Sequence, residues 1–263
     1  MKLLKRRSFD ILRSVTFALV LREVRGRFGA NRLGAFWFVF EPLAHIIILI
    51  IIFSVIRSRT LPGIDLPMFL VTGIVPFLLF KNVALKGMEA VNANQGLLAY
   101  RQIKPFDCIL ARTIVEFSLM ACVYAALIFA FSFWGNSDVV IHQPLKWLAT
   151  LGIGMAFSFG LALIFCVLVD AVPEAKTFIK LMFMPLYILS GIIFPIWRAP
   201  HSLLEFMTWN PYFHLIDTLR RSVFASYPHV SVINEAYPAS LAVIVLFIGM
   251  GLYRARRLNL VAR

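Results

Sequence analysis

Apolar positions in this chain do not alternate or form narrow stripes; they run in long blocks separated by short polar stretches. The blocks cover about residues 36–56, 67–86, 108–134, 145–169, 178–197 and 239–253. A helix needs ~20 apolar residues to cross a bilayer, so the pattern predicts six membrane helices, the last of them short. Residues 1–28 read differently, with Lys2, Lys5, Arg6, Arg7 and Arg13 interleaved with Phe9, Leu12, Val15, Leu19 and Val20. That spacing predicts an amphipathic helix over about 9–27, lying on a membrane surface. Gly26, Gly29 and Gly34 then predict an elbow into the first span.

Two further segments are too polar or too interrupted to span. Residues 87–107 predict a loop with a small helix at Leu97–Tyr100, framed by Gly96 and Pro105. Residues 198–238 are rich in apolar and aromatic side chains at helical spacing, which predicts short helices that re-enter the membrane or lie on it. Pro67, Gly73 and Pro76 predict a kink or break in the second span, and Pro185 and Gly191 interrupt the fifth. The chain reads as one transmembrane domain over 1–263, with a surface helix and elbow at 1–35, a six-span bundle at 36–253 and a tail at 254–263.

Composition agrees with this all-α polytopic reading. The chain has 60% hydrophobic residues, only 15% charged ones and a mean hydropathy of +0.84, outside the range of soluble domains. A net charge of +13 and a pI near 10.2 would suggest nucleic acid in a soluble protein. Here the basic residues flank the apolar blocks, so topogenic charge explains them without a nucleic-acid partner. With six spans and both termini on one side, twenty Lys and Arg fall on that side and six on the other. The positive-inside bias makes the richer side cytoplasmic. No signal peptide with a short apolar core and a small-residue cleavage site opens the chain.

Enzyme chemistry finds little support. The five histidines show no HExxH spacing, GxSxG is absent, and no metal site is expected. Cys108, Cys122 and Cys166 are odd in number, lack metal-type spacing, and are expected to be packing residues. No GxxxxGK[ST] loop occurs, so the chain carries no ATP cradle of that kind. Glu41 and Glu116 lie inside apolar blocks, where an acidic group is costly. Each either serves a proton relay or pairs with a neighbouring Arg, Asn or backbone group, and the sequence leaves both open. Aromatics gather near span ends, among them Trp37, Tyr187, Trp197, Trp209 and Tyr212, where most belong to interfacial belts.

Several stretches carry a resemblance over nearly the whole chain, in preserved order. They are RFGANRLGAFWFVFEPLAH at 27–45, ANQGLLAYRQIKPFDCILAR at 93–112, FPIW at 194–197, WNPYFH at 209–214 and LYRARR at 252–257. The chain resembles the membrane (permease) subunits of capsular polysaccharide exporters, the KpsM branch of the ABC-2 type transporters. The 93–112 run is its most specific piece. In the wider group a Tyr-Arg pair and a Ser often stand at the places of Phe28, Gly29 and Asn31, a departure that favours the capsule branch.

The resemblance implies the ABC-2 (type V) exporter fold and a homodimer in the bacterial inner membrane, each copy docked to a cytoplasmic ABC ATPase that binds ATP and Mg. No cofactor is then expected in this chain. It also implies a lipid-linked acidic polysaccharide as substrate, handed to a periplasmic adaptor and outer-membrane export proteins. Asn94, Gln95, Gly96, Leu97, Leu98, Tyr100, Arg101 and Ile103 would form the ATPase-coupling segment; Arg101 could instead join Lys104 on anionic lipid or the substrate's acidic head. Arg22, Arg25, Arg27, Arg32, Trp37, Glu41, Trp197, Trp209 and Tyr212 would form the substrate gate and channel, some aromatic faces stacking on sugar rings. An exporter of O-antigen or teichoic-acid type glycan is the alternative in the same class. A membrane-embedded lipid or glycan enzyme is the alternative in another.

Overall fold

Proline opens several of the helices, because the first turn of a helix has no use for the missing N–H and gains from the fixed φ. Pro67, Pro105, Pro144 and Pro211 each fall in a first turn. The computed structural model describes residues 8–28, 34–56, 64–100, 102–135 and 141–261. Within α2, the side chains of 34–39, 41, 42 and 54–56 lie outside that description. The elements are α1 (Ser8–Phe28), α2 (Gly34–Ile56), α3 (Leu66–Met88), a 3-10 turn (Asn92–Asn94), α4 (Gln95–Leu98), α5 (Pro105–Gly135) and α6 (Pro144–Ala171). They continue with α7 (Ala175–Ile188), a second 3-10 turn (Ile196–Arg198), α8 (His201–Met207), α9 (Pro211–Val223) and α10 (Ala236–Val261).

Among the described residues, α3, α5, α6 and α10 are long and apolar enough to cross a membrane. In α2 the described apolar stretch is Leu43–Phe53. The fifth apolar block is not one continuous helix. Its helix, α7, has 14 residues, about 21 Å at 1.5 Å per residue, against a hydrocarbon core of ~30 Å. After Pro185 the helix ends, and the chain reverses at Gly191, whose φ of +66° suits a residue without Cβ. Of the kink or break expected in the second block, the break does not occur: α3 runs through Gly73 and Pro76 as one helix. The last helix is longer than its apolar block, because nothing in Arg254–Leu260 interrupts helical backbone and α10 continues to Val261.

α3 is the central helix, with α5, α6 and α9 against it and α10 outside on α6. Its residues Phe69, Ile74, Phe77 and Phe80 are buried with Tyr212, Leu215 and Ile216 of α9 in the main core. α6 and α10 approach most closely at two glycines: a Cβ at Gly249 would lie 2.8 Å from the carbonyl oxygen of Gly160, and one at Gly160 would lie 2.9 Å from the nitrogen of Leu246. Small residues allow such backbone proximity, the usual means of helix association where lipid removes the hydrophobic drive. Cys108 and Cys166 are buried, Cys122 is exposed, and all three are free thiols. α1, the α4 segment and the end of α10 share one end of the bundle, where Leu19, Leu98 and Leu260 belong to one apolar cluster.

Candidate functional site

At the end of the bundle that carries the described ends of the chain, α1 is held to α3 and α5 by charge. Glu116, one of the two acids in the apolar blocks, is fully buried on α5, with Arg27 Nη1 at 2.6 Å and Lys86 Nζ at 3.0 Å. Arg27 also donates to Glu23, one turn back on α1, through Nε at 3.0 Å and Nη2 at 2.8 Å. The same Glu23 oxygen accepts from Arg112 Nε at 2.9 Å, and Arg112 Nη1 donates to the Lys86 carbonyl at 3.2 Å. Two carboxylates and three cations thus join three helices in one network. A buried carboxylate is tolerated when it is paired in this way, and removing one partner exposes the cost of the other. Of the two readings of Glu116, the geometry realises the ion pair. Burial opposes ionisation of Glu23, but the Arg112 and Arg27 guanidiniums outweigh it and hold its carboxyl below the usual range.

The segment that follows α3 is anchored to α1 through Arg22. Arg22 Nη1 donates to Asn94 Oδ1 at 3.2 Å, and Asn94 Nδ2 donates to the Ala90 carbonyl at 2.8 Å. Asn94 and Leu98 are buried, Leu98 at 5% exposure beside Leu19, Val91 and Cys108. Gln95, Gly96 and Tyr100 face outward, Tyr100 at 65% exposure, while Leu97 and Ile103 are half-buried. Between α1 and this segment lies a groove of about 590 Å³, whose walls include Val15, Leu19, Arg22, Leu97, Tyr100 and Ile103. Beside it, Glu89 at the end of α3 receives Lys180 at 2.7 Å and Lys176 at 3.1 Å from α7. Burial opposes this charge too, and the two ammoniums hold the carboxyl below its ordinary value.

At the opposite end, the chain between α7 and α9 folds back around a buried arginine. Arg220, 1% exposed, donates from Nη1 to the Gly191 carbonyl at 2.7 Å, and from Nη2 to the carbonyls of Ile192 at 2.6 Å and Phe69 at 3.2 Å. Its guanidinium carbon lies 3.6 Å from the centre of the Phe69 ring, a cation–π contact. Gly73 makes room for it, since a Cβ there would collide with the guanidinium. Trp197 packs edge-on against Phe69 and Tyr227, and the Tyr227 hydroxyl donates to Asp217 at 2.7 Å. Tyr212 is enclosed by Phe77, Phe80, Phe157 and Phe183, with its hydroxyl 3.3 Å from that of Ser158. Trp209 is half exposed at the end of α8.

The structure therefore separates the expected residues into two ends. Arg22, Arg27 and the Asn94–Ile103 segment come together at one, with Arg25 exposed beside them. Trp197, Trp209 and Tyr212 belong to the other. Arg32 and Arg101, and the side chains of Trp37 and Glu41, lie outside the described residues. Glu23, Lys86, Arg112 and Arg220 were not singled out by the sequence reading. A local signal existed for one pair alone: Glu23 and Arg27 are four apart on a predicted helix, a spacing at which opposite charges meet. Among the described residues, no group of three His, Cys, Asp or Glu could hold a metal ion.

Comparison with known proteins places this arrangement in a family. The ABC-2 type transporter family matches residues 14–224. The chain is 36% identical to the polysialic acid transport protein KpsM of Escherichia coli over 251 residues, 95% of this chain and 96% of that one. It is 26% identical over 223 residues to the capsule polysaccharide export inner-membrane protein CtrC of Neisseria meningitidis serogroup A, covering 82% of each. Similarity to the O-antigen export system permease protein RfbA of Myxococcus xanthus is 25% over 156 residues, 58% of each chain. On the extent of these matches and its bundle of apolar helices, the chain belongs to the ABC-2 type transporter family.

Proposed function

We propose that this chain is the membrane-spanning permease subunit of an ATP-driven exporter that carries a lipid-linked capsular polysaccharide across the bacterial inner membrane. In this reading ATP and Mg bind a partner ABC ATPase, this chain contributes no cofactor site, and two copies of it form the pathway. The substrate then passes to a periplasmic adaptor and outer-membrane export proteins. Six membrane passages place both termini in the cytoplasm: α2 and α7 supply the two beyond the four long apolar helices, and α8 and α9 form a re-entrant hairpin on the periplasmic side. The twenty-to-six distribution of Lys and Arg supports that orientation.

The observation that carries the proposal is the joint anchoring of α1 and the Asn94–Ile103 segment. Arg22 ties that segment to α1, and Arg27 and Glu23 tie α1 to α5. A push on exposed Gln95, Gly96 and Tyr100 by a closing ATPase would therefore move α1, α3 and α5 together. Arg22, Arg25, Arg27 and Arg32, with Trp37 and Glu41 beyond the elbow, would admit the anionic head of the lipid anchor, which cationic side chains attract at a membrane surface. Trp197, Trp209 and Tyr212 would border the exit. Capsule substrate is favoured over O-antigen because similarity to the capsule proteins covers 82–96% of their chains, against 58% for the O-antigen permease.

Co-purification with candidate ABC ATPases, followed by ATPase assay with and without this chain, tests the assignment. Capture of one ATPase, with surface polysaccharide lost on deletion of this chain's gene, is the expected result. Failure to hold any ATPase, with surface polysaccharide unchanged, would overturn it.

A further inference from the structure

The central helix α3 is buried along most of its length, and the exception is a single stripe. Between Met68 and Met88 every residue is buried except Leu78, Lys81, Asn82, Leu85 and Lys86, which follow the i, i+3, i+4, i+7, i+8 spacing of one helix face. Leu78 and Leu85 pack on the main core, and Lys86 pairs with Glu116. Lys81 and Asn82 are different. Both are half-buried, and among the described residues neither the ammonium nor the amide has a hydrogen bond or an ion pair.

An ionisable side chain in a helix of spanning length is expensive, and it either pairs within the protein or marks a path for ions or substrate. Lys81 lacks the internal partner, and its surroundings add positive charge. α7 touches α3 on both sides of it. Tyr187 packs edge-on against Phe77, one turn before Lys81, with ring centres 5.3 Å apart, and Lys180 and Lys176 reach Glu89, two turns after it. One carboxylate there faces two ammoniums, so with Lys81 the seam carries three cations and one anion. Such a seam attracts anions. An ammonium beside an amide suits an acidic sugar, because the ammonium takes an anionic oxygen and the amide can both donate to and accept from a hydroxyl.

We infer that Lys81 and Asn82 form a contact site for an anionic group of the exported substrate, a sugar carboxylate of the polymer or the phosphate of its lipid anchor. Lys81 supplies the charge, and Asn82 bonds a neighbouring hydroxyl. The inference rests on the proposed function and deepens it, by assigning selectivity for an acidic substrate to two residues of α3. A lysine that only reached for water would be replaceable by methionine with no loss of export.

The test complements a deletion of this chain's gene with the full-length parent, Lys81→Met, Lys81→Arg or Asn82→Leu, and compares surface polysaccharide at equal membrane level. Lys81→Met should lower export about tenfold, as loss of one charge-assisted hydrogen bond would give, and Asn82→Leu about threefold, as loss of a neutral one would. Lys81→Arg, which keeps the charge, should retain roughly half or more of the parent's export. The unfolding midpoint of purified Lys81→Met should match or exceed the parent's, because no ion pair is broken and a half-buried charge is removed. Fluorescent oligogalacturonate and its carboxyl-reduced counterpart, titrated onto the full-length parent in phosphatidylcholine nanodiscs, separate the two sources of the anion. Tighter binding of the acidic oligomer, lost in Lys81→Met, identifies the sugar carboxylate; equal binding of the two, with export still lost in Lys81→Met, identifies the anchor phosphate. Export from Lys81→Met equal to the parent's would overturn the inference alone, as would lost export accompanied by a lowered midpoint, which makes Lys81 structural. Surface polysaccharide that persists in the deletion strain would overturn the proposed function itself, and this inference with it.

Discussion

Arg27 on α1 reaches Glu116 in the body of the bundle, Nη1 to Oε1 at 2.6 Å, with the carboxylate fully buried. The contact makes α1 part of the bundle, and it gives a basic residue that looks topogenic a structural partner 89 positions away. Lys86 alone would remain to balance Glu116 if Arg27 were lost. Arg27→Ala should therefore destabilise the protein by about 3–5 kcal/mol, the usual cost of breaking a buried pair from one side. Arg27→Met with Glu116→Leu should cost less than either single change, since no charge is left behind. Thermal unfolding of the purified variants checks both. Arg27 thus reports folding as well as any gating role, and Arg32→Ala, with membrane level and surface polysaccharide compared, is the cleaner test of a gate.

Leu98 and Tyr100 are two residues apart and should fail in different ways. Leu98 is buried against Leu19 and Val91, so Leu98→Asp places an unpaired charge in an apolar cluster and should lower the amount of protein in the membrane. Tyr100 is largely exposed, so Tyr100→Asp should leave that amount near the parent's while reducing the ATPase recovered with it. Immunoblots of membranes and of the co-purified complex separate the outcomes. Normal ATPase recovery with Tyr100→Asp would remove this side chain from the docking surface.

Arg220 bonds three carbonyls from two separate parts of the chain. Arg220→Ala leaves those carbonyls without their charged donor and should cost about 3 kcal/mol or more. Arg220→Lys should recover only part of this, because one ammonium cannot reproduce the planar fork. Gly73→Ala intrudes on the same guanidinium, so the combination of Gly73→Ala with Arg220→Ala should be less damaging than the sum of the two. Limited proteolysis between α7 and α9, alongside thermal unfolding, measures each. Additive effects would separate Gly73 from the arginine.

Acid should loosen the attachment of α1 by titrating Glu23. Its folded-state carboxyl is held below the ordinary value of about 4.3 by Arg112 and Arg27 against the effect of burial. The stabilisation is then present in full above the unfolded value and is lost as pH falls through the folded one. Glu23→Gln should lower the unfolding midpoint at pH 7, and the gap from the parent should narrow as the pH falls below about 4.3. A gap independent of pH would place the effect of Gln in packing.

Much of the architecture was legible in the chain, and the reason is local. An apolar block of spanning length demands a helix whatever surrounds it, since backbone groups in lipid must be satisfied within the segment. The predicted helix at 9–27 and the blocks at 67–86, 108–134 and 145–169 all depend on that demand or on proline and glycine near their ends, and they appear as α1, α3, α5 and α6. The short helix expected at 97–100 forms two residues earlier, as α4, with Gly96 inside it and not at its edge. The motifs at 27–45 and 93–112 likewise pointed to the family that the comparisons establish.

Tertiary structure decided what one apolar residue cannot reveal about another. The block at 178–197 has the composition of a span, yet only 14 residues of it and its polar approach form α7. The rest turns at Gly191, where its carbonyls meet Arg220 from 29 residues further on. Glu116 carried two open readings because its cost in an apolar block is local, whereas its partners, Arg27 and Lys86, lie 89 and 30 positions away. The sequence determined which segments become helices in lipid, a property of each segment with its solvent; packing alone decided which charges meet, which aromatics are enclosed and where a groove is left between helices.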